Sequence, residues 1–259
     1  MTPARTLAFP TAHVGRRVDV FAEVASTNDL LPPDADPGTV VVADHQTAGR
    51  GQYGRTWLTR PGEALLMSVF LDPPAAVRRP VVLTAWAAVG IAEAVAELTG
   101  VQAAIKWPND LLVHGKKVCG ILIEQRAKVA VGVGLNLNQT AAEFAERGLP
   151  DATSLHMLSG RTFDRDAVLG VVLKKLDAEY ARLANGSPAM LEAGWRWRLG
   201  LLGKAVTAEL FDGTALGGRV RQVGFDGVEL EDDDGHFRVL KPEAVRGLKA
   251  NPGSDAGGG

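Results

Sequence analysis

The chain has 259 residues, 46% apolar and 22% charged, enough to bury a full core in one large or two unequal domains. Its 28 basic and 30 acidic residues leave a formal charge of -2, which argues against bulk affinity for nucleic acid. A lone cysteine, Cys119, excludes an intramolecular disulfide and a cysteine-based zinc cluster. The start lacks a secretion signal, and no apolar run reads as approaching the roughly 18 residues of a membrane span. A cytoplasmic enzyme with neither a nucleic-acid nor a membrane partner is expected.

In chain order, residues 18–24 read as a strand and Ser26 to Asp29 as a polar turn able to start a helix. Pro32, Pro33 and Pro37 hold a loop until a strand at 40–43, and 65–71 is a further buried strand. The Ala-rich run 81–98 predicts a long buried helix ending at Gly100. Short strands at 103–107 and 111–113 flank Pro108, and His114-Gly115-Lys116 turns the chain into strands at 117–125 and 129–137. Apolar spacing predicts helices over 164–183 and 188–198. After Gly203 the texture changes to short strands with Asp-Gly turns at 212–213, 226–227 and 234–235. The expected fold is α+β: a mixed central β-sheet with helices on one face, followed by a small β-barrel. The domains are expected at 1–199 and 200–250, with a disordered tail at 251–259.

Three segments carry chemistry. His45 to Trp57 interleaves Gly49, Gly51 and Gly54 with Arg50 and Arg55 directly after an apolar strand, a flexible cationic loop suited to a phosphate-bearing ligand. Its literal GxGxxG does not fit a dinucleotide fold, because Pro61-Gly62 stops any helix within about two turns. The second is Lys106-Trp107-Pro108-Asn109-Asp110 followed by Lys117. There Asp110 is suited to a divalent cation or a lysine, Asn109 to a polar ligand, and Lys117 to reach a pocket from a packed stem. A structural turn explains the pattern equally well. The third is Gly132-Val133-Gly134-Leu135-Asn136, where strand glycines signal close approach of backbone or ligand and Asn136 needs partners. Cys119, in an apolar strand, reads as a core residue.

Taken together these segments resemble the biotin protein ligases. The matches run in order: Ser26-Thr27-Asn28; Gln46 to Gly51 with Gly54-Arg55 and Trp57; Lys106 to Asp110; Lys117 to Glu124; Gly132 to Asn136; and Lys241-Pro242. The resemblance implies a catalytic domain like that of class II aminoacyl-tRNA synthetases, a C-terminal SH3-like β-barrel, and the substrates ATP and biotin with Mg²⁺ as cofactor. It implies that biotin is activated as biotinyl-5'-AMP and passed to a lysine of the biotin carboxyl carrier domain of acyl-CoA carboxylases. Lys117, Arg50 and Asp110 would be catalytic, with Asp110 also serving the metal. Ser26, Thr27, Asn28 and Gln46 would hold biotin, while Gly49, Gly51, Arg55 and Trp57 form the loop over it. Asn109 would serve the phosphate side with Asp110, Asn136 the adenylate end and Lys241 the triphosphate, with Lys106, Gly120 and Gly134 as further binding residues. Gln52 stands where relatives often carry arginine, leaving less charge to grip the adenylate. With about 20 residues before the first strand, the resemblance implies the type without a DNA-binding domain, acting as a monomer or weak homodimer. Lipoate–protein ligation through lipoyl-AMP is the alternative, disfavoured by the arginine loop and the Lys106–Asp110 motif.

Overall fold

The computed structural model describes residues 1–30, 35–125 and 128–253. Four strands, β1 (Arg5–Leu7), β2 (Val18–Val24), β3 (Val40–Gln46) and β4 (Ala64–Leu71), precede the long helix α1 (Pro80–Thr99). β5 (Ala104–Lys106), β6 (Asp110–Val113), β7 (Lys116–Gln125) and β8 (Val129–Asn136) follow it. They build one eight-stranded sheet in the order β1-β2-β3-β4-β8-β7-β6-β5. β2 and β3 run parallel and the other neighbours antiparallel, the mixed sheet expected. The hairpin turn between β6 and β7 places His114 and Gly115 at φ 50 and 76°, the pair of positive values that a tight hairpin requires. Helices α2 (Ala141–Glu146) and α3 (Leu155–Ser159) are too short for their apolar spacing to announce them. The expected disordered tail falls largely on residues 254–259, outside the described residues.

Helices α1, α4 (Arg165–Ala184) and α5 (Pro188–Leu199) pack together against one face of this sheet. α1 begins with proline and ends on Gly100 in the left-handed conformation, φ 76°, the asymmetry that favours both ends. By length and composition α1 could cross a membrane, which corrects the expectation that no apolar run reaches that size. Its apolar window is 72% buried inside the protein, and Trp86 within it donates its indole N–H to the Leu176 carbonyl at 2.9 Å. Along β8, Val129, Val131, Val133 and Leu135 enter the main core. Gly132, Gly134 and Asn136 therefore face the opposite side, where only a smaller cluster around Phe21, Val41 and Phe70 is packed.

The C-terminal strands are β9 (Ala205–Leu210), β10 (Ala215–Val223), β11 (Val228–Glu231), β12 (Phe237–Leu240) and β13 (Val245–Ala250). They form an open antiparallel sheet in the order β12-β11-β10-β9-β13. This corrects the expected SH3-like barrel, since β12 and β13 are the two outer edges and do not pair. Closure is unnecessary because the inner face is covered by the first sheet's helices and turns. Val206, Ala208, Val220, Val223, Val245 and Leu248 join the same core cluster as α1, and Phe225 stacks on Trp195 of α5 at 5.5 Å. β12 stays at the rim, with Phe237 and Val239 exposed.

Glu63 ties the end of the arginine-bearing loop to β8 and α2. Its carbonyl accepts the N–H groups of Leu137 and Asn138, both at 3.1 Å. Its carboxylate accepts Arg60 N–H at 2.9 Å and the Arg147 guanidinium at 2.6 Å. Burial pushes this acid's pKa up, but the bonds from Arg147 and Arg60 outweigh it and leave the group below its ordinary value. An acid depressed in the folded state adds stability above its unfolded pKa and loses it as pH falls through the folded one. Glu63→Gln is expected to cost about 1–3 kcal/mol at pH 7. The gap from wild type should shrink below about pH 4. Denaturant titrations at pH 7 and pH 3 measure both.

Candidate active site

The face of the sheet away from the helices carries a cavity of about 710 Å³. Its position follows from one irregularity between β6 and β7. Asp110 pairs with Gly120 and Leu111 with Cys119, but Leu112 pairs with Lys117. Val118 is thus one residue too many on β7, a bulge. Strict alternation would send Lys117 to the side of Cys119, which is fully buried in the core. The bulge reverses the phase, so Lys117 joins Asp110 and Gly120 on the cavity side. There its ammonium lies 2.6 Å from the Asp110 carboxylate.

Glycines form the floor beside this pair. A Cβ on Gly120 or Gly134 would meet the Trp57 indole at 2.9 or 2.5 Å, and one on Gly132 would meet Asn28 at 2.7 Å. Each missing side chain therefore gives room for a group from the other wall. The Lys117 ammonium sits 5.4 Å from the Trp57 ring centroid, within cation–π range. The Trp57 indole N–H is buried with no hydrogen-bond partner among the described residues.

One end of the cavity is a polar network around Asn28. Thr27 N–H donates to Gln46 Oε1 at 2.8 Å, and Ser68 Oγ lies 2.7 Å from Thr27 Oγ1 and 2.5 Å from Asn28 Oδ1. Asn28 Nδ2 donates to Glu124 at 2.7 Å. Arg50 donates to Asp29 at 2.7 and 2.9 Å and to Glu124 at 2.9 and 3.2 Å. These bonds, from Asp29 first and Glu124 second, hold the Arg50 guanidinium charged, with its pKa above the ordinary value.

The arginine loop is a small hairpin rather than a helix start. Arg50 bridges Thr56, Gly51 N–H donates to the Arg55 carbonyl at 2.7 Å, and Trp57 N–H to the Gly49 carbonyl at 2.9 Å. Its tip, Gln52–Gly54, is a single 3-10 turn with Tyr53 at φ 58°. The turn at Trp107 to Asp110 is equally fixed. Asn109 Nδ2 donates to the Ile121 carbonyl at 2.6 Å, and the Trp107 indole to the Val245 carbonyl at 2.9 Å. Asn136 Nδ2 donates to the Thr153 carbonyl at 3.0 Å, and its Oδ1 accepts from Gln139 at 3.2 Å. That pins residues 148–152 as a further wall.

Every site residue singled out in the sequence lines this cavity except Gly49 and Lys241. Gly49 lies behind Trp57 and closes the hairpin. Lys241 is exposed; Arg246 and Lys249 of β13 reach the cavity instead. Cys119 is a core residue, and burial pushes its thiol pKa up. Sequence reasoning gave no role to Asp29, Ser68, Glu124, Tyr53 or Arg246. Only Ser68 had a local signal, a lone hydroxyl inside an apolar strand. Among the lining residues, Arg50, Arg55, Lys106, Lys117, Arg246 and Lys249 face only Asp110, Asp151 and Glu209, a balance suited to an anionic ligand.

Residues 15–138 match the model of the biotin/lipoate A/B protein ligase family. A biotin–[acetyl-CoA-carboxylase] ligase of Mycobacterium tuberculosis is 36% identical over 247 residues, covering 90% of each chain. The chain belongs to the biotin protein ligase family. The bifunctional ligase/repressor BirA of Bacillus subtilis is 34% identical over 239 residues, 89% of this chain and 70% of that protein. Among solved structures, a biotin protein ligase from Aquifex aeolicus in complex with biotin and ATP shares 28% identity with a TM-score of 0.77. That match covers 90% of this chain and 99% of the other.

For a ligase of this family the glycine floor gives a direct test. Gly134→Ala would put a methyl 2.5 Å from the Trp57 indole and unseat it. Biotin-dependent ATP–pyrophosphate exchange is expected to fall about tenfold or more. The thermal midpoint should stay within about 2 °C. An unchanged exchange rate would show that the seat of Trp57 is irrelevant to adenylation.

Proposed function

We propose that this cavity performs both half-reactions of ATP-dependent biotin–protein ligation. In the first, an oxygen of the biotin carboxylate attacks the α-phosphorus of ATP. The new O–P bond replaces the bond to the β-phosphate, and pyrophosphate leaves. In the second, the ε-amine of a lysine on a biotin carboxyl carrier domain attacks the acyl carbon of biotinyl-5'-AMP. An amide forms, the anhydride C–O bond breaks and AMP departs. The observation that carries this reading is the Lys117–Asp110 pair on a glycine floor, facing the arginine loop inside a predominantly basic cavity.

The chemistry brings two anions together and then spreads charge over a pentavalent phosphorus, so preorganised cations supply most of the help a protein can give. Lys117 would contact the carboxylate and the α-phosphate oxygen, with Asp110 holding its ammonium in position beforehand. Arg50 lines the same cavity from the loop. The unpartnered indole N–H of Trp57 supplies a further donor, since a buried donor gains about 1–3 kcal/mol on finding an acceptor. The network of Thr27, Asn28, Gln46 and Ser68 offers donors and acceptors to a planar ureido group. Among the described residues the one cluster of three potential metal ligands, Asp232, Asp234 and His236, belongs to the β11–β12 turn. Magnesium therefore fits as part of the MgATP substrate, and Asp110 is the residue that would hold it. Bound there, the metal would neutralise phosphate charge.

Incubating the protein with MgATP, a carrier domain and labelled biotin or lipoate tests the reading. Biotin alone is expected to be incorporated; incorporation of lipoate, or of neither, would overturn it. Lys117→Ala is expected to lower the single-turnover rate of adenylate formation by about 10²–10³-fold. The fall should lie in kcat more than in KM for biotin, as befits a group that acts mainly on the transition state.

A further inference from the structure

The tip of the arginine loop is held by the C-terminal sheet through a residue outside the recognised motifs. Tyr53 has φ 58 and ψ 37°, a left-handed conformation that residues bearing a Cβ adopt only when their surroundings hold them there. Its ring lies 5.0 Å from the Arg246 guanidinium and meets Phe211 edge-on at 5.9 Å. Its hydroxyl donates to the Arg246 carbonyl at 3.3 Å. Gln52 beside it is uncharged, and its buried Oε1 has no partner among the described residues.

Arg246 occupies a special place on its strand. Val245 pairs with Leu210 and Gly247 with Glu209, and the register shifts between them, so Arg246 has no partner in the ladder. A bulge of this kind turns a residue out of the sheet. The preceding carbonyl, of Val245, accepts the indole N–H of Trp107 at 2.9 Å. Two walls of the cavity, the arginine loop and the turn at Trp107 to Asp110, thus rest on consecutive carbonyls of one strand.

We infer that Tyr53 is a positioning residue, and that its latch onto the β13 bulge at Arg246 holds the arginine loop closed over the adenylate. The inference rests on reading the cavity as the adenylate site. The hairpin bonds transmit the hold: Arg50 bridges Thr56 and Trp57 is tied to Gly49, so freeing the tip frees Arg50 and Trp57 together. The three contacts are individually weak and involve a side chain 45% exposed, which suits a latch that must release.

Limited trypsin digestion of the full ligand-free chain, with cleavage at Arg50 and Arg55 followed by mass spectrometry, reads the latch without any ligand. Release of preformed biotinyl-5'-AMP from the same variants reads its consequence. Tyr53→Ala is expected to speed both about fivefold, and Tyr53→Phe, which keeps the ring, by no more than about twofold. Adding Arg246→Ala to Tyr53→Ala should have little further effect on the ligand-free digestion, because the two residues share one interaction. Cleavage and release unchanged in Tyr53→Ala would overturn the latch, and additive effects on cleavage would overturn Arg246 as its partner. If wild type shows no biotin-dependent pyrophosphate exchange, the adenylate reading fails; the digestion still decides whether the loop is latched.

Discussion

One extra residue in β7 sets the geometry on which the site depends. The bulge at Val118 lets neighbouring positions serve opposite masters: Cys119 and Ile121 belong to the core under α1, while Lys117 belongs to the cavity. Without the phase change the lysine would have to be buried uncompensated, which costs several kcal/mol. The core side keeps the register strict, because a one-residue slip would exchange core and cavity faces along the whole strand. Asp110, Gly120 and the seat of Trp57 are all positioned relative to that fixed lysine.

Two of the cations that face the cavity at its reactive end, Arg50 and Lys117, are already paired with carboxylates. Arg50 is shared by Asp29 and Glu124, and Lys117 is held by Asp110. Both cations are about a third exposed, so these pairs contribute at most about 1 kcal/mol each once solvent screening is allowed for. Phosphate and carboxylate groups of a ligand can displace such partners at small cost. The carboxylates thus keep the side chains ordered beforehand while leaving them available. Acidic residues beside an anion site are then holders of geometry, not competitors that defeat binding.

The parts legible in the sequence are those whose signal is local. The glycines alternating along β8, the Lys106–Asp110 turn and the glycine-capped α1 each carry their reason within a few residues. The open C-terminal sheet is not legible, because closure depends on whether the inner face finds another cover, and that cover is α5 and the Trp107 turn far along the chain. Tyr53 and Arg246 meet across 193 positions, a pairing that no local pattern announces. Lys241 illustrates the limit of carrying over a motif: the resemblance directs attention to it, yet it is Arg246 and Lys249 on the next strand that reach the cavity. The membrane-length apolarity of α1 shows the converse, since composition alone does not reveal that its surface is covered.

The core that runs uninterrupted from α1 into β9, β10 and β13 also decides which part of the molecule can move. Two bodies joined by a thin linker would admit ligand by a hinge motion on the microsecond-to-millisecond scale. Among the described residues one core cluster spans both sheets, and splitting them would expose Val206, Val220 and Val245 to water. Access is left to a latched loop a few residues long, and lid opening of this kind runs from microseconds to seconds. Retention of a reactive intermediate then becomes a matter of the fraction of time that this loop spends shut.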